Sequence, residues 1–252
     1  MASVKPKKHL GQHFLKDENI ALKIVDALKN EDNLPVLEIG PGTGVLTKYL
    51  IKQEDTQFYA LDIDTESIAY LKETYSDNQE QFLFKDYLKY DVPFDRFNVI
   101  GNFPYNISSQ LFFKIWEDRE KVDEVVCMIQ KEVADRICAS HGNKTYGILS
   151  VLLQAFFEIN YLFKVPPGVF NPPPKVQSAV IRLKRNNIKQ LPCDEKFFKR
   201  VVKAGFGKRR KTLRNALKDL NLSDSVAALP EMDKRAEQLS VQEFISLTEK
   251  IA

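Results

Sequence analysis

The stretch LPVLEIGPGTGVLTKYL (34–50) joins an apolar run of strand length to a glycine-rich turn and a helix-like segment. Its three alternate glycines allow the backbone to come close to a ligand. Asp62 lies 22 residues beyond Gly40, near the end of the next apolar run, QFYALDID (57–64). A strand, a glycine turn, a helix and an acidic residue after the second strand predict a nucleotide-type site at the carboxyl edge of an open α/β sheet.

Strand-length apolar runs alternate with helix-length periodic segments over most of the chain. The runs occupy 34–40, 57–64, 81–86, 96–102, 124–130 and 178–184, and the segments occupy 44–53, 65–75, 108–116, 131–139 and 146–159. This alternation predicts a mainly parallel sheet with helices on both faces. Helical spacing without strand signals follows Lys184. We therefore expect an α/β domain over 1–185 and a small α-helical domain over 186–252.

Composition excludes several classes of protein. Of the 252 residues, 44% are hydrophobic and 28% charged, a typical globular composition. No apolar run approaches the roughly 20 residues of a membrane span, and the basic N-terminus has no apolar leader segment. The three cysteines are far apart and lack metal-ligand spacing. We expect a cytoplasmic, monomeric protein that binds no metal and no membrane.

Positive charge is concentrated in one segment. Residues 184–214 hold twelve Lys and Arg against Asp194 and Glu195, although the whole chain carries only +3. Such a cluster is typical of a surface that binds a polyanion, and its simpler interpretation is a solvated helix face. The asymmetry favours contact with a nucleic acid.

The glycine turn indicates which ligand to expect. It lacks the GK[ST] of a phosphate-binding loop, and its third glycine comes too early for a dinucleotide fingerprint. The pattern ExGxGxG suits S-adenosylmethionine, which carries adenine and ribose but no phosphate. Asp62 is then a candidate acceptor for the ribose hydroxyls. Asp86, after the third strand, is a candidate acceptor for the adenine amino group or, alternatively, an ordinary turn aspartate.

A second motif, GNFPYNIS (101–108), follows the fourth strand. An adenine exocyclic amine is a poor nucleophile because its lone pair is delocalised into the ring. The Asn102 side-chain oxygen and a backbone carbonyl near Phe103 are candidate acceptors for its two N–H groups. Pro104 would stiffen the loop, and Tyr105 would stack on the base. By itself the motif is also compatible with a plain turn.

The chain resembles the ribosomal RNA adenine N6-dimethyltransferases, and most the bacterial small-subunit 16S group. The similarity extends over nearly the whole chain: KKHLGQHFL (7–15), LEIGPGTGVLT (37–47), NFPYNIS (102–108), MIQKEVADRI (128–137), YGILSVL (146–152) and VPPGVFNPPPKVQSAVIRL (165–183). It implies a Rossmann-like class I methyltransferase sheet and methylation of two adjacent adenosines near the 3′ end of 16S rRNA in the 30S subunit.

The resemblance also implies roles for individual residues. Contacts with S-adenosylmethionine are implied for His13, Leu15, Gly40, Asp62, Asp86 and Asn102. The family usually has Asn where this chain has His13, and commonly Glu where it has Asp62. Phe170 is implied to stack on the face of the target base opposite Tyr105. Its place beside three prolines predicts an exposed ring, although a stiff interdomain connector also explains these surroundings. Arg209, Arg210 and Lys211 are implied to contact rRNA phosphates.

Two other functions are compatible with these motifs. One is the related 23S rRNA adenine methylase that confers macrolide resistance, which shares the catalytic motifs. The other is an RNA-binding ribosome assembly factor whose catalysis is dispensable. The segment 171–180 and the extended LGQHFL (10–15) favour the small-subunit enzyme.

Overall fold

A computed structural model of the chain describes residues 4–220 and 222–251, which form two units. The first unit comprises residues 1–134 and 159–185, and the second comprises 135–158 and 186–252. The sequence prediction also divided the chain after Arg185, but it gave 135–158 to the first domain. That segment belongs to the second unit because its helix packs on the helices that follow residue 194.

The first unit is built on a seven-stranded sheet. Its strands are β2 (Val36–Ile39), β3 (Phe58–Asp62), β4 (Phe82–Phe84), β5 (Phe97–Asn102), β6 (Val122–Gln130), β7 (Phe157–Val165) and β9 (Ser178–Arg185). The spatial order is β4-β3-β2-β5-β6-β9-β7. The first five strands in this order, from β4 through β3, β2 and β5 to β6, are parallel to one another, and β9 runs antiparallel to β6. A separate antiparallel pair joins β1 (Phe14–Leu15) to β8 (Phe170–Asn171).

Helices flank this sheet and follow its strands along the chain. They are α1 (Glu18–Ala27), α2 (Thr47–Leu50), α3 (Thr65–Thr74), α4 (Ser108–Glu117) and α5 (Lys131–Ile137), the last of which continues into the second unit. All four residues of β2 are buried, as expected for a strand covered on both faces. Asp17 caps α1 and Asp64 caps α3 by accepting backbone N–H groups, so both helix starts have a local chemical cause.

The structure differs from the sequence prediction at three places. The segment 146–159 was predicted as one helix, but only part of it is helical and β7 begins at Phe157. β7 alternates buried and exposed residues at one edge of the sheet, and its apolar start is continuous with the buried helix. Helix α1 and the short β1–β8 pair were not predicted. A two-residue strand depends on its distant partner and leaves no periodicity in the sequence.

The second unit is helical. Its elements are α6 (Ile148–Gln154), α7 (Glu195–Gly207), α8 (Leu213–Ala216), α9 (Asp224–Ala227) and α10 (Val241–Ile251), with short 3₁₀ turns between them. Phe206 stacks on Phe244 at 5.8 Å and meets Tyr146 edge-on at 5.9 Å. These aromatic contacts join α7, α10 and the residues before α6 into one core.

Two features are absent from the described residues 4–220 and 222–251. No helix there has both the length and the apolar composition needed to span a membrane. No group of three or more His, Cys, Asp or Glu side chains is placed to hold a metal ion.

Candidate active site

A cavity opens at the carboxyl ends of the parallel strands in the first unit. It encloses about 780 Å³ of empty space, part of which is open to solvent. Its walls come from the turn after β2, the ends of β3 and β5, and the N-terminal segment. Seven of the site residues implied by the sequence line it: His13, Gly40, Asp62, Asp86, Asn102, Pro104 and Tyr105.

The glycine turn forms one wall because its backbone adopts conformations that side chains disfavour. Gly40 and Gly42 have φ angles of +71° and +56°. A Cβ atom on Gly42 would lie 2.9 Å from the ring of Phe14. The second glycine therefore both permits the turn and leaves room for the aromatic ring of the N-terminal segment.

Asp62 ends β3 with its carboxylate largely buried beside this turn. Its Oδ2 accepts from the Gly42 backbone N–H (3.4 Å) and its Oδ1 from that of Asp64 (2.9 Å). Burial raises the pKa of the Asp62 carboxyl to about 6, against the lowering effect of these two hydrogen bonds. At neutral pH the group is mainly ionised, and it presents an anionic acceptor to the cavity.

Glu38, the first residue of the ExGxGxG pattern, is a second acidic residue of this region. It is 1% exposed, and its Oε2 accepts a 2.6 Å hydrogen bond from the Thr47 hydroxyl. The pKa of the Glu38 carboxyl is raised to about 8, mainly by burial; the Thr47 hydrogen bond opposes the rise and the nearby charge of Asp62 adds to it. Glu38 is therefore mainly protonated at neutral pH, which avoids two buried charges next to the glycine turn.

Asp86 lines the cavity, and its side chain also accepts a hydrogen bond within the turn that follows β4. Its Oδ1 accepts from the Leu88 backbone N–H at 3.0 Å, and Lys89 Nζ lies 3.8 Å from its Oδ2. Asp86 therefore closes the turn after β4 and also lines the cavity, and its contact with adenine stays a prediction.

Asn102 is held in a defined orientation. Its Nδ2 donates a 2.8 Å hydrogen bond to the backbone carbonyl of His13. A carbonyl only accepts, so the amide nitrogen faces His13 and Oδ1 is the remaining acceptor. Oδ1 accepts no hydrogen bond within the residues described. The side chain thus contributes an available acceptor to the cavity wall.

Tyr105 is fixed at both its ring and its hydroxyl. The ring stacks on the imidazole of His13, with centroids 5.2 Å apart and planes inclined by 30°. The hydroxyl hydrogen-bonds to that of Ser178, a fully buried residue at the start of β9. His13 Nδ1 in turn lies 2.7 Å from the carbonyl of Pro172. The sequence indicated a polar contact for His13 but gave no sign of this stacking.

Two of the residues implied to contact the donor or the target base lie outside the cavity. Phe170, expected to be exposed and to stack on a base opposite Tyr105, is 1% exposed and packs in the apolar core. Leu15, its partner in the β1–β8 pair, is 3% exposed in the same core. The predicted exposure of Phe170 is wrong because this pairing directs both side chains inward. Within residues 4–220 and 222–251, the ring that stacks on Tyr105 is that of His13.

The three basic residues implied to bind RNA follow α7 in the second unit. Arg210 and Lys211 are exposed, and neither side chain makes a hydrogen bond or ion pair in the described part of the chain. Arg209 is half-buried, lies 6.0 Å from the centroid of Phe206 and donates to the backbone carbonyl of Lys144. Arg209 therefore stabilises its own unit, whereas the other two present charge to solvent.

Comparison with known proteins places this architecture in one family. The model of the family "Ribosomal RNA adenine dimethylase" matches residues 3–252. A Cytophaga hutchinsonii protein named ribosomal RNA small subunit methyltransferase A is 58% identical, over 100% of this chain and 99% of its own. A Flavobacterium johnsoniae protein of the same name is 54% identical, over 100% and 97%.

Solved structures agree with the sequence matches. The crystal structure of a dimethyladenosine transferase from Plasmodium falciparum superimposes with a TM-score of 0.78 at 28% identity, over 93% of this chain and 96% of that one. The crystal structure of the 23S rRNA methyltransferase ErmE gives 0.67 at 23% identity, over 93% and 99%. The latter likeness concerns the fold alone.

The fold is that of the class I methyltransferases, with a helical unit added to the sheet, as predicted. The chain belongs to the ribosomal RNA adenine dimethylase family, which confirms the resemblance inferred from its motifs.

Proposed function

We propose that this protein transfers methyl groups from S-adenosylmethionine to the N6 atoms of two adjacent adenosines near the 3′ end of 16S rRNA. Its substrate is the 30S subunit or a precursor of it, which implies a cytoplasmic location and a role in ribosome biogenesis. The observation that carries the proposal is the fixed amide of Asn102, whose remaining acceptor lies in the same cavity as Gly40 and Asp62.

The chemistry of the cavity fits the methyl donor. The ionised carboxylate of Asp62 suits a pair of ribose hydroxyls, and the turn at Gly40 and Gly42 brings backbone within reach of the donor. Of the side chains proposed for the donor, two are carboxylates and none is a Lys or Arg, as expected for a ligand without phosphate. When bound, S-adenosylmethionine supplies a methyl group on a positively charged sulfur.

The chain's residues would prepare the amine that receives this methyl group. Asn102 Oδ1 and the Phe103 backbone carbonyl would accept the two N–H bonds of the adenine amine. This directs its lone pair towards the methyl group and makes positioning the main source of rate enhancement. Pro104 fixes the loop that carries both acceptors. The monomethyl product retains one N–H, so a single acceptor must hold it for the second transfer.

Tyr105 would hold the target base against its ring. Adenine within a stacked helix cannot present its amine to the donor, so the nucleotide must leave the stack. The imidazole of His13 now covers one face of Tyr105. With their centroids 5.2 Å apart, the two rings leave no room for a base between them, so stacking of a base on this face requires His13 to move away.

The exposed charges of Arg210 and Lys211 would contact rRNA phosphates. Such contacts position a protein on folded RNA, and they carry no sequence information themselves. Specificity would then come from the shape of the rRNA and from the base pocket.

The test is methyl transfer to isolated particles. Labelled S-adenosylmethionine is incubated with 30S subunits from cells that lack this methylation, and the products are mapped by mass spectrometry. We expect dimethyladenosine at two adjacent positions near the 16S 3′ end, and its formation slowed about 100-fold or more with an Asn102→Ala variant. Transfer to naked 23S rRNA but not to 30S subunits would refute the proposal and identify a 23S enzyme.

A further inference from the structure

Residues 7–15, here called the strap, form one wall of the cavity, to which its residues 10–14 all contribute. The strap starts with a closed turn. The Lys7 backbone N–H donates to Gln12 Oε1 at 2.8 Å, and Gly11 reverses the chain with a φ of +66°. The two ends of the turn, Lys7 and Gln12, therefore lie side by side.

The Asp64 carboxylate contacts both ends of this turn, and Lys7 Nζ also lies 3.2 Å from Oε1 of the exposed Glu66. Lys7 Nζ forms an ion pair with Asp64 Oδ1, and Gln12 Nε2 donates to Asp64 Oδ2 at 2.9 Å. The Asp64 side chain is fully buried, whereas that of Lys7 is 25% exposed. A buried carboxylate needs partners for both oxygens, because an unpaired one would be costly away from water. The Glu66 backbone N–H and the Ser67 hydroxyl each donate to one of its oxygens, and Lys7 of the strap adds the opposite charge that a buried carboxylate requires.

Asp64 also connects the strap to the donor side of the cavity. Its backbone N–H donates to Asp62 Oδ1 at 2.9 Å, and its side chain caps α3 through the Glu66 backbone N–H at 3.1 Å. The position of the carboxylate is therefore set by the sheet and the helix. The strap binds this carboxylate through the side chains of Lys7 and Gln12.

The far end of the strap reaches the residues proposed to hold the target amine. The carbonyl of His13 accepts from Asn102 Nδ2 at 2.8 Å, and the carbonyl of His9 accepts from Asn106 Nδ2 at 3.3 Å. A Cβ on Gly11 would lie 2.7 Å from Asn106 Oδ1. The strap consequently orients Asn102, and Asn106 gains a contact that its place in a turn did not suggest.

We propose that Asp64 is a positioning residue that, through Lys7 and Gln12, clasps the strap across the cavity and thereby fixes both the donor wall and the amide of Asn102. This inference rests on the proposed function for its effect on catalysis. It also assigns the charge of Lys7 to the protein's own structure, in contrast to Lys8, which is exposed and forms no ion pair among the described residues.

The test compares Lys7→Met with Lys8→Met, which remove the same charge from neighbouring positions. Backbone hydrogen exchange of the strap is measured first, on the protein alone. We expect exchange about tenfold faster in Lys7→Met, in line with the loss of a charged hydrogen bond, and unchanged exchange in Lys8→Met. Lys7→Arg, which keeps the charge and a donor, should restore most of the protection.

Steady-state methylation kinetics then distinguish the effect of the Lys7–Asp64 ion pair on the cavity from a general electrostatic attraction of RNA by Lys7. Lys7→Met should raise KM for S-adenosylmethionine and lower kcat, each several-fold, and leave KM for 30S subunits as in Lys8→Met. Equal exchange and equal kinetics in the two variants would overturn the inference. Failure of the wild-type protein to methylate 30S subunits would refute the proposed function alone, because the exchange comparison does not depend on it.

Discussion

The side-chain amide of Asn102 is bound to the backbone carbonyl of His13, 89 residues earlier in the chain, at 2.8 Å. The contact joins the end of β5 to the strap and determines which amide atom faces the cavity. The backbone carbonyl of His13 therefore orients Asn102, which is implied to act on the substrate. The side chain of the same His13 stacks on Tyr105. The wall formed by the strap and the wall formed by the end of β5 are therefore linked by this hydrogen bond.

Asn102→Ala removes the proposed acceptor, and Asn102→Asp keeps an oxygen there but loses the donor to His13. We expect each to lower the single-turnover rate of methyl transfer by about 100-fold or more, the usual effect of deleting one preorganised polar contact. Rapid quench with saturating donor and 30S subunits measures this rate. A rate within threefold of wild type for Asn102→Ala would remove this residue from the reaction.

Tyr105→Phe and Tyr105→Ala separate the ring from the hydroxyl. The ring provides stacking, worth about 1–3 kcal/mol per base, so its loss should lower kcat/KM for 30S subunits about 10- to 100-fold. Tyr105→Phe loses only the bond to Ser178 and should stay within a few-fold of wild type. Equal losses in both variants would show that the hydroxyl, not the ring, matters.

Glu38 makes stability depend on pH. Its folded pKa of about 8 exceeds the usual 4.5, so the folded state binds a proton that the unfolded state releases. This contribution is complete below about pH 4.5 and is lost as the pH rises to about 8, by up to about 1.4 kcal/mol per pH unit. Glu38→Gln, which keeps an acceptor for Thr47, should flatten the fall in Tm between pH 5 and 8. Parallel Tm profiles would contradict the assignment.

Gly42→Ala is expected to disturb the strap as well as the turn. Its Cβ would press on the Phe14 ring at 2.9 Å, in addition to the strain at φ +56°. Gly142→Ala is the matched control, because its φ is +81° and nothing lies within 4 Å of its Cβ position. Both should lose about 1 kcal/mol of stability from backbone strain, but Gly42→Ala should lose more because of the Phe14 contact, and only Gly42→Ala should weaken binding of S-adenosylmethionine. Calorimetric titration of both variants checks this.

Arg210→Ala combined with Lys211→Ala tests the RNA surface. Each lost phosphate contact should reduce the slope of log K against log salt by about 0.7 to 0.9. The control pair, Lys23→Ala with Lys52→Ala, removes two exposed charges of the first unit that form no ion pair in the described residues. Filter binding to 30S subunits at several salt concentrations gives the slopes. An equal reduction in both pairs would mean that the charge of Arg210 and Lys211 acts only by general attraction.

Most of the central sheet could be predicted because its signals are local. β2, β3 and β5 are buried apolar runs, and the glycine turn follows β2 directly. Asp62, Asp86 and Asn102 end or follow parallel strands, whose carboxyl ends meet at one edge of the sheet, so their convergence was predictable too. β7 was missed because its apolar start continues a buried helix without a break in composition.

By itself the sequence determined the order of the elements, the glycine turn and the side chains available for chemistry, since these depend on residue type and local spacing. Only the tertiary structure decided which of those side chains face the cavity. Phe170 is buried because β8 pairs with β1, the ring of His13 stacks on Tyr105, and the Asp64 carboxylate binds Lys7 of the strap. Burial and hydrogen-bond partners are properties of residues brought together from distant parts of the chain, and no local pattern encodes them.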